Sequence, residues 1–308
     1  VWTPDFYKNA IDRLTPYGLS AEDIAKLEVT LKDITCNALS RLGKDIAPIG
    51  RLRQRKNSIV SSNIPVIDKI FLLLDDCKRF GTLSFSHAAR AGFVATTLLK
   101  SFVTSKILSE ERRLEFMRSI KTVAGEFEES KYSHKLGRIS IQDLVENYGH
   151  LRPGTYDICA QAYWEDPEKY FLTSGENKPE FVSPFTFSLN ESENVKIMLD
   201  NLGAKETPNE LLQYLQEAIE ARELVKFQFT KNLSKALDMC ACLAEKLSLT
   251  REQISFLEYH DLEQLKLNVI GVNELKDKIS QNQKTYTVSQ VIEMPGFIKQ
   301  ESDFYCFE

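Results

Sequence analysis

The stretch Tyr148 to Ile158, YGHLRPGTYDI, is the part of this sequence that packing explains least. An imidazole (His150), a guanidinium (Arg152), a hydroxyl (Thr155), a phenol (Tyr156) and a carboxylate (Asp157) crowd one short run. Gly149, Pro153 and Gly154 stand among them. Proline fixes φ and removes a donor, and glycine reaches backbone conformations closed to other residues, so the run predicts a tight turn. These groups can hold an anion, orient a polar substrate and exchange a proton. The turn is therefore either a binding site on a loop held by a rigid scaffold, or a connection whose His and Arg tie it to helix ends. The residue types favour binding.

Two other stretches carry usable chemistry. His87-Ala88-Ala89-Arg90-Ala91-Gly92-Phe93 sets small residues around one cation, so the Arg90 guanidinium can approach an anion closely or pair with a neighbouring carboxylate. In Glu220-Ala221-Arg222-Glu223-Leu224-Val225-Lys226, Glu223 and Lys226 fall on one face at i,i+3, and Arg222 shares a face with Lys226 at i,i+4. Such spacing is usually a solvated stripe, but Phe227 and Phe229 beside it predict a helix buried on more than one side.

The elements that must position these groups are mostly helices. Ser20 with Asp23 starts one through Ile24, Leu27, Leu31, Ile34 and Ala38, closing near Gly43. Arg51 to Ile64 reads as polar and turn-like. Pro65 opens a second helix through Ile70 and Leu74, which Gly81 breaks, and a third runs from about Ser84 to Thr104. Ser109 caps a fourth. After a polar stretch from Glu126 to Arg138, Ser140 begins a short helix that leads into the turn. Tyr170 to Leu189 sets aromatics among Ser, Thr, Pro and Gly and reads as extended. There Phe181, Pro184, Phe185 and Phe187 either cover a cavity or seal the edge of the core. Pro208 begins a long helix through Leu237, Thr250 to Leu257 forms another, and Asn273 to Ile279 a short one. His260 sits at a helix end. The expected fold is mainly α: one irregular multi-helix domain over 1–308, with a short extended or β excursion around 170–190 and a subdivision point near 137–140.

Composition sets the outer bounds. The chain has 308 residues, 43% hydrophobic and 27% charged, with 13 Gly and 10 Pro, which suits helices better than a turn-rich β fold. A net charge of −5 argues against a general nucleic-acid binder. Six Cys without a CxxC pair and four dispersed His signal no metal site. With no apolar run of membrane-spanning length and no signal peptide, a cytoplasmic protein without a membrane partner is expected. There is no GxSxG elbow and no GxxxxGK[ST] loop.

Taken together, GTLSFSHAARAGFVA (81–95), YGHLRPGTYDI and EARELVKFQFTKNLS (220–234) resemble the middle region of multidomain phosphotransferases related to phosphoenolpyruvate synthase and pyruvate phosphate dikinase. Rifampin phosphotransferase carries a similar GHRGPGE-like turn. His150, Pro153 and Gly154 align with it, while Thr155 and Tyr156 depart from its acidic residue. The chain is more similar to the branch that includes bacterial L-glutamine kinase, which begins capsular phosphoramidate synthesis. The resemblance covers about Pro65 to Asp261.

In that family an ATP-grasp domain binds ATP, a mobile domain carries a phosphorylatable histidine, and the middle region holds the acceptor. This sequence has neither the ATP-grasp signatures nor the swivelling-histidine loop, and it reads as a piece of something longer. The resemblance therefore implies an acceptor-binding domain, inactive alone and without a cofactor of its own. ATP and Mg would be used by the full-length kinase, and the other two domains would be its partners. It implies glutamine as the acceptor, phosphorylated on its amide nitrogen. Arg90 and Arg152 would serve the phosphoryl oxygens or the acceptor's carboxylate, and His150 or Asp157 would act as base. His87, Thr155, Tyr156, Arg222 and Lys226 would complete the substrate contacts. His150 lies in a fixed turn and is not the phosphate-carrying histidine. The alternatives are a bulky hydroxyl acceptor of the rifampin kind, needing a large apolar pocket from 181–187, and a spacer that only docks the two other domains.

Overall fold

Side-chain caps start most of the helices. Ser20 accepts a hydrogen bond from the Asp23 N–H while the Asp23 carboxylate takes the Ser20 N–H, and the same reciprocal box recurs at Ser140, Ser188, Thr207 and Thr250. The computed structural model describes residues 1–172, 183–293 and 296–305. Among them the chain forms α-helices and no strand. In order these are α1 (Phe6–Leu14), α2 (Ala21–Ile46), α3 (Arg51–Ser61), α4 (Val66–Asp76), α5 (Leu83–Thr104), α6 (Glu110–Ser119) and α7 (Val123–Lys135). Next come α8 (Ile141–Tyr148), α9 (Pro167–Phe171), α10 (Leu189–Leu202), α11 (Pro208–Lys246), α12 (Arg251–Ser255), α13 (Tyr259–Lys266) and α14 (Val272–Ser289).

The 39-residue α11 is the axis on which the rest assembles. Its first half packs against α5, where Ala88, Ala91 and Ala95 meet Ala218, Ala221 and Val225 in one buried cluster. Small residues let the two backbones come close: a Cβ on Gly92 would sit 3.3 Å from the Ala218 carbonyl oxygen. The second half carries Cys240, Leu243 and Ala244 into a separate cluster with Ile70, Leu262, Leu275 and Ile279. A third cluster joins α7, α8 and α9 through Phe127, Leu144, Tyr148 and Phe171, with Phe227 of α11 as its floor. The turn at 137–140, with Gly137 at φ 70°, links α7 to α8 inside that third cluster.

Several elements differ from the sequence expectation. The polar run after Arg51 is helix, not turn: Leu52 and Ile59 are two turns apart on one buried face, and Arg55 reaches the buried Asp76 carboxylate at 2.8 Å. Most of the polar stretch from Glu126 onward is α7, held by Phe127 packing on Tyr148. α2 continues past Gly43 to Ile46, and α14 runs on to Ser289 beyond its last buried residue, Ile279, while His260 does stand at a helix end, in the first turn of α13. Gly81 does not break the chain into two helices. It lies in a π-type turn, Cys77–Thr82, that joins α4 to α5 without interruption. The extra residue of that turn lays Cys77 and Gly81 against α11 at Phe229, whose carbonyl accepts the Cys77 thiol at 3.6 Å.

The excursion expected over 170–190 falls largely on 173–182, outside the described residues, Phe181 among them. Residues 183–188 form neither helix nor strand, Ser188 being extended, and Phe185 is buried edge-on against Phe116. Arg112 clamps this segment: its guanidinium lies over the Phe185 ring, donates to the Thr186 carbonyl at 2.6 Å and pairs with Glu191 at 2.9 Å. Phe185 thus seals the core edge.

Two glycine substitutions separate contact from propensity. In Gly81→Ala the new Cβ would fall 2.5 Å from the Phe229 Cβ, so a loss of about 1–3 kcal/mol is expected from the forced shift of α11. Gly43→Ala, in an exposed helix interior with nothing within 4 Å, should gain about 0.5–1 kcal/mol. Paired thermal melts check both signs.

Candidate functional site

The turn after α8 is built by its own backbone before any side chain is considered. The Gly149 N–H closes α8 on Val145, and two rungs then bind the turn to the next segment: Trp164 N–H to Gly149 C=O and Tyr163 N–H to Leu151 C=O, both 2.9 Å. Glycine is needed at 149 because a Cβ there would lie 3.1 Å from the Trp164 Cβ and 2.4 Å from the Val145 oxygen. Further on, the Asp157 N–H returns to Gly154 C=O at 3.0 Å and the Asp157 carboxylate accepts the Cys159 N–H at 2.8 Å. Asp157 and Tyr156 are both exposed.

Arg152 points inward, with its side chain 1% exposed. Its Nε donates to Ser234 Oγ at 2.9 Å, Nη1 to the Ala160 carbonyl at 2.5 Å, and Nη2 to the Ser234 carbonyl at 3.1 Å and to the Asp238 carboxylate. Burial pushes the Asp238 carboxyl up from its ordinary value, and the guanidinium opposes this. A second ion pair, Arg251 to Glu165 at 2.6 Å, fastens the outer side of the same segment. The guanidinium is spent on α11. It is the latch of the turn, and it lines the cavity beside His150 as well.

His150 is the group left open. It is 4% exposed, its ring stands edge-on to Phe227 at 4.7 Å, and its Nε2 has no hydrogen-bond partner among the described residues. Burial drives its pKa down from 6.5 to about 3, aided by the charges of Lys231 and Lys56, while a hydrogen bond to the Phe227 carbonyl works the other way. With Nε2 unpartnered, that bond belongs to Nδ1, so the neutral ring keeps a bare Nε2 lone pair inside the protein. His150 lines a cavity of about 220 Å³ together with Leu151, Arg152, Thr155, Glu223, Lys226, Phe227 and Thr230. Thr230 donates to the Lys226 carbonyl at 2.9 Å, which leaves its oxygen free to accept. One wall is the turn and the other is α11. The lining thus combines a neutral imidazole with a carboxylate and an ammonium.

His150, Thr155 and Lys226 are thus brought together, with Arg152 behind them. His87 and Arg90 are not among them. They line a different cavity, of about 460 Å³, between α2 and α5, where His87 Nδ1 lies 3.5 Å from Asp45. Arg222 is exposed, and its stem lies over Gly92 of α5. Glu220, from the same run, accepts the Lys121 N–H at 3.1 Å. The three stretches lie along α5 and α11 but do not close on one point. Glu223, singled out in the sequence on one face with Lys226, lines the cavity beside it; missed in the sequence were Asp238 as the partner of Arg152 and the lysines beside the site. The helical spacing of Glu223, Lys226, Phe227 and Thr230 was the available signal for the α11 wall.

Among the described residues no helix is long and apolar enough to cross a membrane, and no three His, Cys, Asp or Glu side chains gather as metal ligands would. No family model matches the sequence, and no curated protein or solved structure is detectably similar to the chain.

The latch has a measurable signature. Arg152→Ala strands a buried carboxylate at Asp238, and a loss of about 3–5 kcal/mol in unfolding free energy is expected. Adding Asp238→Ala should recover part of that loss, giving a coupling energy above about 1 kcal/mol in a double-mutant cycle. Additive losses would show that the pair is not the fastening.

Proposed function

We propose that the chain is the acceptor-binding domain of a phosphotransferase of the phosphoenolpyruvate synthase kind, and that the His150 cavity takes a small amino-acid acceptor, glutamine first. The observation that carries this reading is a buried, unpartnered imidazole nitrogen on His150, a residue that lines a cavity together with the opposite charges of Glu223 and Lys226. A buried acceptor of that kind is costly unless a ligand donor meets it. A primary amide supplies that donor. Its amino acid then has an α-ammonium for Glu223 and an α-carboxylate for Lys226, with the Thr155 and Thr230 hydroxyls between.

Size supports a small acceptor over a bulky one. About 220 Å³ lies below the roughly 300–1,000 Å³ of sites for drug-sized ligands. Phe185, which a large apolar pocket would have needed, is buried against Phe116 instead. The spacer reading is weakened on a separate ground: the Arg152 latch closes on this chain's own α11, so the turn is not waiting for another domain to fasten it.

His150 then acts as an oriented acceptor. A ring with its pKa held near 3 is a weak base at neutral pH, yet its lone pair fixes the amide N–H and sets which face of the amide nitrogen is presented to the phosphoryl donor. The transfer balances without a proton on His150: the N–P bond of a phosphohistidine breaks, the amide N–P bond forms, and the amide proton passes to the donor imidazole. ATP, Mg and that phosphohistidine would come from the other domains of the enzyme.

Titration calorimetry with glutamine, asparagine and glutamate tests the reading. Glutamine should bind, asparagine should bind about tenfold more weakly, and His150→Phe and Glu223→Gln should each weaken glutamine by about tenfold or more. Absence of heat from every amino acid with the folded protein would count against it.

A further inference from the structure

Beside the acceptor cavity, on the other flank of the turn, four cations converge from two helices: Arg53 and Lys56 of α3, and Lys231 and Lys235 of α11. Lys56 and Lys235 line a cavity of about 460 Å³ whose far wall is Trp164 and whose floor is Val60. The Lys235 ammonium stands 5.9 Å from the centre of the Trp164 ring, and Lys231 stands 4.7 Å from that of Phe227. Two carboxylates act on this cluster: Glu146, exposed and paired with Arg53 at 3.3 Å, and Asp238, which feels the charge of Lys235 but is paired with Arg152. Among the described residues no carboxylate closes an ion pair with Lys56, Lys231 or Lys235.

A solvated basic stripe does not look like this. Its cations stay in water and spread apart, whereas these three lysines are half-buried, and Lys56 lies near enough to interact with both of the others. Lys231 and Lys235 stand at the i,i+4 spacing of like-charge repulsion along α11. The strain is legible in their protonation: burial, then Lys56 and Arg53, hold Lys231 down to about 8, and burial, then Arg53 and Lys235, lower Lys56. Like charges gathered in a partly dry cleft without an ion pair of their own are a mark of a functional site.

The geometry points to a phosphate dianion held in this cavity between Lys56 and Lys235, with the Asn57 amide and Trp164 on its wall and Lys231 one turn earlier on α11. A single carboxylate would satisfy one ammonium and leave the other unmet. A tetrahedral dianion offers oxygens to both lysines and to the amide at once. Lys56 and Lys231 are also the two lysines that act on His150, so the anion would lie next to the acceptor cavity. The inference rests on the placement of the cations and stands whether or not that cavity takes glutamine.

Calorimetric titration with inorganic phosphate, at fixed ionic strength in sodium chloride, tests it. Saturable binding is expected, weakened by about tenfold or more in Lys56→Met and in Lys235→Met and unchanged in Lys100→Met, an exposed lysine of α5. Without phosphate, both cluster variants should melt at or above the parent temperature, because each removes repulsion. A parallel titration with adenosine diphosphate separates two sources of the same group. Equal affinity identifies free phosphate, and tighter binding identifies the terminal phosphate of a nucleotide. The inference is overturned if phosphate does not saturate against chloride, if neither variant weakens it, or if both variants melt lower, since a lower melting temperature would make the lysines supports of the fold.

Discussion

Arg152 cannot leave α11 without stranding the Asp238 carboxylate, and most of the site's geometry depends on that constraint. Pro153 and Gly154 deny the turn a helix's own hydrogen bonds, so it must be anchored from outside. A planar guanidinium with several fixed donors suits the task, since one side chain engages Ser234, Ala160 and Asp238 together. Once it is seated, His150 two residues earlier is carried against Phe227 and the adjoining backbone is paired with Tyr163 and Trp164. The same motif that looked like a set of ligands thus divides its labour: one charged group builds the site, and one neutral group opens into it.

Electrostatics around the turn are arranged in two layers. On one flank the imidazole is kept neutral by burial and by two lysines, which makes it an acceptor. On the other flank those lysines close no ion pair among the described residues and lower each other's proton affinity. An acceptor molecule and an anion would therefore sit in two separate cavities. That is a sensible arrangement for chemistry in which a phosphoryl group approaches a polar nucleophile, because the anion's charge is met outside the cavity that orients the nucleophile.

Helices with caps and a periodic apolar face were legible from sequence alone: α2 from Ser20, α8 from Ser140 and α11 from Pro208 begin where their N-terminal signals put them. The misses share one cause. In α3 only Leu52 and Ile59 are fully buried, and in α14 only Leu275 and Ile279, so the apolar period is too sparse to read. Gly81 misled because a glycine in a helical pattern usually marks an end, whereas here it admits the Phe229 side chain of α11. At the site, the turn and the Glu223–Lys226 face were visible, but the fate of Arg152 was not. Nothing local announces that Asp238, far along the chain, will bury beside it.

The central claim is that His150 is a neutral ring with its proton on Nδ1 and a bare, unpartnered Nε2 in the wall of the cavity. Imidazole ¹⁵N chemical shifts test it directly. At pH 5, where an ordinary histidine is mostly imidazolium, His150 should still show one protonated and one pyridine-like nitrogen, as a pKa held near 3 requires. Glutamine should then move the pyridine-like Nε2 resonance as it takes up a hydrogen bond. An imidazolium pattern at pH 5, or an Nε2 that already carries the proton, would contradict the account.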